Sequence, residues 1–102
     1  MKTGYVYILA SQPNGTLYVG VTSNLIRRVH QHREGTIKGF SAKYGAKRLV
    51  YFEQFEAIED AIQRERRMKK WRRKWKLELI EKNNPNWEDL YPRLAGFPLS
   101  RE

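Results

Sequence analysis

Asn14-Gly15, set between two alternating apolar runs, constrains this chain more than any other pair of residues. Asn-Gly in that setting is the strongest short-range signal for a β-hairpin, because a two-residue type I′ turn needs positive φ at both central positions. Such a turn pairs Pro13 with Thr16 and Ala10 with Val19. Val6, Ile8 and Ala10 then share a fully apolar face with Leu17, Val19 and Val21. The other face carries Tyr5, Tyr7 and Leu9 beside Tyr18 and Gly20, a shallow platform with phenols on it. A slip of one residue would destroy this arrangement, so it depends on the turn type.

The second strand feeds directly into a helix. Thr22 or Ser23 is the expected N-cap, since a hydroxyl there satisfies an orphan amide of the first turn. Leu25, Ile26 and Val29 give the apolar stripe. Arg28 and His32 are four apart and stack at the edge of that stripe, facing back across the hairpin platform.

These residues carry a family likeness. Tyr5-Val6-Tyr7, Tyr18-Val19-Gly20, and Arg28 with His32 resemble the GIY-YIG nuclease domain. The likeness is to its small single-domain bacterial members, similar to the N-terminal domain of the excinuclease C subunit. Val stands for both isoleucines, Tyr5 stands for the first glycine, and the resemblance extends to roughly Tyr91. It implies an α+β fold, a small three-stranded, mainly antiparallel sheet made of the hairpin plus one later strand, flanked by helices. One domain is expected over residues 1–91, with 92–102 a loose C-terminal tail.

Composition sets the outer bounds. The chain has 102 residues, enough for one modest core, and its 20 Lys and Arg against 11 Asp and Glu give a formal charge of +9. That charge suits a polyanion, nucleic acid first and an anionic membrane surface second. The absence of cysteine excludes a disulfide framework and thiolate metal sites. The apolar run at the start is too short and too tyrosine-rich for a signal peptide, and no segment approaches a membrane span. A cytoplasmic protein is the expectation.

From Arg33 to Lys47 the chain reads as a basic loop punctuated by Gly35, Gly39 and Gly45. Phe40 and Tyr44 flank a single helical turn over Ser41-Ala42-Lys43. Those aromatics either anchor the loop to the core or join Lys38, Lys43 and Lys47 in contacting nucleic acid. Arg48 to Glu53 reads as the third strand, rich in β-branched and aromatic residues.

Glu56 to Trp71 reads as a helix with Ile58, Ala61, Ile62 and Met68 on one stripe. Glu65 falls within that stripe, where an unpaired charge is very costly. Two readings are open. In one, Glu65 forms an internal ion pair with Arg64, Arg66 or another cation. In the other it holds a hard divalent cation, and Mg²⁺ suits a site with few ligands because it keeps several waters. The family resemblance implies the second, since a single glutamate on a later helix holds the metal in GIY-YIG nucleases.

The run RRMKKWRRKWK follows Glu65. Eight cations in eleven residues (Arg66, Arg67, Lys69, Lys70, Arg72, Arg73, Lys74, Lys76) bracket Trp71 and Trp75. The tryptophans are expected in the core. The cations exceed what the helix dipole requires and read as a phosphate-contacting surface with little base specificity. Trp75 to Ile80 suggests a further short helix. In the tail, turn residues from Asn83 precede a helical turn capped by Asn86, with Trp87 and Leu90 docked on the body.

The resemblance implies a metal-dependent endonuclease acting on nucleic acid, DNA ahead of RNA, with DNA repair or recombination as its setting. In that scheme Glu65 holds Mg²⁺ or Mn²⁺, Arg28 stabilises charge on the phosphate, and a phenol activates water, Tyr18 before Tyr7. His32 orients or relays a proton, or hydrogen-bonds a tyrosine, and Gly20 lets the phosphate approach the strand. Lys43, Arg66, Lys69, Lys70, Arg72, Arg73 and Lys74 bind the backbone. Val21 stands where some family members carry a lysine. With no appended DNA-binding domain, the expectation is selectivity for substrate structure, targeting by a protein partner, or weak specificity. The rivals are a non-catalytic nucleic-acid-binding module that retains the fold and a basic protein-interaction subunit.

Overall fold

The computed structural model describes residues 2–36, 39 and 43–96. Three strands, β1 (Gly4–Ala10), β2 (Leu17–Thr22) and β3 (Arg48–Phe55), form an antiparallel sheet in the order β2-β1-β3. The described residues also form the helices α1 (Leu25–Glu34), between β2 and β3, and α2 (Ile58–Lys69), α3 (Arg73–Asn83) and α4 (Tyr91–Leu94), after β3. Among the described residues no helix is long and apolar enough to cross a membrane.

The hairpin forms at the expected place with a different turn. Ala10 pairs with Leu17 and Ile8 with Val19, so the two-residue type I′ register is replaced by one shifted by two residues. Pro13 and Asn14 take the central positions of a turn closed by Gly15 N donating to Gln12 O at 2.8 Å. Asn14 alone there is left-handed, with φ +59°. Proline followed by a positive-φ residue is the type II pattern, which the fixed φ of Pro13 favours. A shift of two preserves parity, so both faces carry the residues expected of them.

β1 lies between the other two strands, and from Val6 to Ala10 no residue is more than 1% exposed. Its even residues belong to one core with Val19, Ala61, Met68, Ile80 and Trp87. Its odd residues, Tyr7 and Leu9, belong to a second core with Leu25, Val29, Leu49 and Tyr91. The helices therefore cover both faces, α2 and α3 on one and α1 and α4 on the other. Each fully buried aliphatic side chain contributes ~1.5–3 kcal/mol. Gly4 opens β1 because α2 comes so close that a Cβ there would lie 2.6 Å from Ile58 Cα.

Helix boundaries differ from the expectation where side chains compete for the cap. Asn24, not Thr22 or Ser23, caps α1, its Oδ1 accepting from Arg27 N at 3.1 Å, while Thr22 Oγ1 accepts from Asn24 N. Ile26, assigned to the apolar stripe, is 44% exposed. Gly35 at φ +76° ends α1 in a Schellman motif, with Gly35 N on His32 O and Thr36 N on Gln31 O. The helix expected over Glu56–Trp71 spans Ile58–Lys69 and breaks at Lys70–Arg72 before α3. Phe40, Ser41, Ala42 and Lys38 lie outside the described residues.

The strand expected over Arg48–Glu53 runs on to Phe55 and bulges at Val50, since Ile8 faces Tyr51 but Leu9 faces Leu49. Buried Asn84 accommodates the bulge. Its Nδ2 donates to Val50 O at 3.0 Å and Glu88 O at 2.9 Å, and its Oδ1 accepts from Glu88 N. Trp87 takes a left-handed φ of +55° and is 3% exposed, its indole set in the core. The tail's helical turn begins at Tyr91 rather than after Asn86, and Leu94 and Ala95 pack on the second core. Residues 97–102 lie outside the described residues.

Replacing Asn84 tests this arrangement. Asn84→Ala should lower unfolding free energy by about 2–3 kcal/mol in a urea titration, because it strands the Val50 carbonyl. Asn84→Asp, which keeps the acceptor and loses the donor, should cost as much.

Candidate active site

Tyr7 is the pivot of the site, and its position follows from Gly20. The two residues face each other across β1 and β2, and a Cβ on Gly20 would lie 2.4 Å from the Tyr7 hydroxyl oxygen. The missing side chain in this outer strand lets the phenol lie across β2. The glycine is thus required for packing.

Tyr18 and His32 complete an aromatic triangle. The ring centroids are 6.2 Å apart for Tyr7–Tyr18, 5.8 Å for Tyr7–His32 and 5.3 Å for Tyr18–His32. The Tyr7 hydroxyl lies 3.1 Å from His32 Nε2 in a buried hydrogen bond. His32 is only 3% exposed because its place next to Val29 on α1 turns it toward the sheet.

Electrostatics give the two groups complementary states. Burial pushes the Tyr7 phenol well above its ordinary range, and the Tyr18 hydroxyl beside it adds to the effect while Arg28 opposes it. Burial also holds the His32 imidazole below its ordinary value, and the positive charge of Arg28 lowers it further. Burial thus disfavours the charged form of each, and a neutral phenol meets a neutral imidazole.

Glu65 is brought in from α2, on the opposite face of the sheet. Ala61, one turn earlier, packs against Gly4, and Glu65 is 8% exposed. Its negative charge raises the Tyr7 phenol slightly, while the positive charge of Arg28 on α1 lowers it. Its ion-pair partner is Lys69, with Nζ 2.6 Å from Oε2. Arg64, an expected partner, instead makes a two-pronged bond to Glu53 at 3.0 and 2.9 Å. The i,i+4 spacing of Glu65 and Lys69 was the available signal for the pair.

The donor set fits a hard divalent ion that keeps much of its water. Among the described residues no group of three His, Asp or Glu side chains could cage a metal. A single carboxylate is what Mg²⁺ takes when water and phosphate oxygens supply the remainder, and Glu65, 8% exposed, is the acid that would hold it.

The cations expected to bind nucleic acid divide. Arg66, Lys70, Arg72 and Lys74 are exposed. Lys69 is held by Glu65, and Arg73 donates from one nitrogen to the carbonyls of Asn14 and Gly15 at 2.8 and 2.7 Å, fastening α3 to the hairpin turn. Lys43 is exposed, its Nζ 5.4 Å from the centre of the Tyr44 ring.

Comparison with known proteins bears on this constellation. Residues 3–78 match the family model described as the GIY-YIG catalytic domain. A UPF0213 protein of Syntrophus aciditrophicus is 36% identical over 91 residues, covering 81% of this chain and 95% of the relative. One from Clostridium perfringens is 42% identical over 76 residues, covering 74% and 81%. The solution structure of a UPF0213 protein from Bacillus halodurans superimposes with a TM-score of 0.54 at 29% identity, covering 88% of this chain and 95% of that one.

The geometry of Gly20 and His32 can be tested by substitution and by pH. Gly20→Ala should displace the Tyr7 ring and lower stability by about 1–3 kcal/mol, read from chemical denaturation alongside a changed near-ultraviolet dichroism of the tyrosines. For His32, the folded-state pKa lies below its ordinary 6.5, so the unfolded chain binds the proton first as pH falls. Stability should hold above pH 6.5 and decline below it. The urea midpoint at pH 5.5 should thus fall below that at pH 7.5, and the gap should narrow in His32→Gln.

Proposed function

Since the chain belongs to the GIY-YIG catalytic-domain family, a nuclease family, we propose that it is a metal-dependent endonuclease that hydrolyses phosphodiester bonds, with DNA preferred over RNA. One observation carries this reading. Tyr7, Tyr18 and His32 form a triangle, with the Tyr7 hydroxyl hydrogen-bonded to His32, and the charges of Arg28 and Glu65 act on the Tyr7 phenol from two different helices.

Tyr18 gives up its hydroxyl proton toward Tyr7 and, as the phenolate, takes the proton of the attacking water. Burial makes Tyr7 reluctant to ionise, so Tyr7 serves as the link to His32, whose neutral Nε2 accepts a proton. Arg28 sets its positive charge against the phosphate as negative charge builds on it. Glu65 holds Mg²⁺ or Mn²⁺, which when bound polarises the scissile phosphate and stabilises the leaving oxygen. Exposed Arg66, Lys70, Arg72 and Lys74 hold the backbone without reading bases. Val21 packs on the apolar core, and Arg28 is the cation that acts on Tyr7.

The Lys69–Glu65 ion pair favours a second reading, a nucleic-acid-binding module in which the carboxylate is already neutralised. Cleavage of labelled single-stranded, duplex and branched DNA and matched RNA, with Mg²⁺, Mn²⁺ or EDTA, separates the two. Metal-dependent cleavage that falls at least about 100-fold in Glu65→Ala and in Tyr18→Phe is the expected result. Binding that persists in EDTA with no cleavage of any substrate would establish the module instead.

A further inference from the structure

Trp75 stands out on the surface. It is 51% exposed, the most exposed of the large apolar side chains among the described residues, although its place in the sequence suggests a core residue. Exposing an indole forfeits much of the stabilisation its burial would bring.

The ring is nonetheless firmly backed. Trp71 meets it edge-on, with centroids 6.2 Å apart and planes at 78°. The Arg64 guanidinium lies 5.0 Å from the Trp71 ring centre and is itself fixed by two hydrogen bonds to Glu53. Glu53 also accepts from the Tyr51 hydroxyl. A chain of contacts thus runs from β3 through α2 to the start of α3 and ends in a half-bare indole.

The surroundings specify the partner's charge. Lys70, Arg72 and Lys74 are exposed around the break between α2 and α3, the stretch that carries Trp75. Glu65 lies one turn before the end of α2, about 6 Å along its axis. An exposed indole in so basic a stretch suits a polyanion that also offers flat apolar rings. Unpaired nucleotides have both features, whereas duplex keeps its base faces stacked internally.

We infer that Trp75 is a stacking platform for an unpaired base, so that this site takes nucleic acid with single-stranded character beside the phosphate it holds. The inference rests on nucleic acid being the ligand, and it names the substrate class. Arg72 and Lys74 contact the flanking phosphates, and the ring supplies the preference for an open strand. Deoxyribose and ribose strands both present such bases.

Binding measured in EDTA keeps this inference separate from cleavage. Fluorescent oligothymidylate, oligouridylate and a blunt DNA duplex would be titrated with the full chain and with Trp75→Leu and Trp75→Phe. Trp75→Leu should weaken single-strand binding about tenfold and duplex binding less than twofold, while Trp75→Phe retains most of the single-strand affinity. Tryptophan fluorescence of the full chain should be quenched by the single strands and not by the duplex. Equal losses on single strand and duplex, or no loss on either, would overturn the inference. So would a dimer in sedimentation that Trp75→Leu dissolves while single-strand binding is unchanged, since the indole would then serve self-association. If Trp75-dependent binding is found without cleavage, the platform stands and the nuclease reading fails. Cleavage with single-strand binding indifferent to Trp75 upholds the nuclease and removes the platform.

Discussion

Burial of β1 on both faces is the constraint on which the other elements depend. A three-stranded sheet has one central strand, and here that strand is apolar or aromatic at nearly every position. Water must be removed from both of its faces, so helices are needed on each side. The even residues draw α2 and α3, and the odd residues draw α1 and α4. Each helix position is thereby tied to the pleat of one strand.

The site follows from an exception within that scheme. Tyr7 occupies a core position yet carries a hydroxyl, and a buried hydroxyl needs a partner. Gly20 clears its path across β2, and His32 on α1 receives it at 3.1 Å. The polar contact sits against an outer strand, and Glu65 lies on the helix layer of the opposite face.

Sequence patterns were most legible where they depended on parity and local spacing. The faces of the hairpin survived a change of turn, because Pro13 moved the register by two residues and not by one. Caps and helix ends were less legible. Asn24 displaced Thr22 and Ser23 from the cap because its shorter route to Arg27 N left Thr22 to bond the turn behind it. The basic run hid its own division of labour. Nothing local distinguishes Arg73, bound to the hairpin turn, from Arg72 and Lys74 on either side.

The amino-acid sequence by itself determined the hairpin, the two-faced central strand, the basic surface and the five polar residues on which a site could be built. Those properties reside in alternation, i,i+4 spacing and composition, all of which act over a few residues. Only the tertiary structure decided which partners each residue took. It gave Arg64 to Glu53, laid Tyr7 over Gly20, and left Trp75 half exposed beside a buttressed Trp71. Such choices depend on how closely the layers approach across the sheet, a distance that no stretch of chain encodes alone.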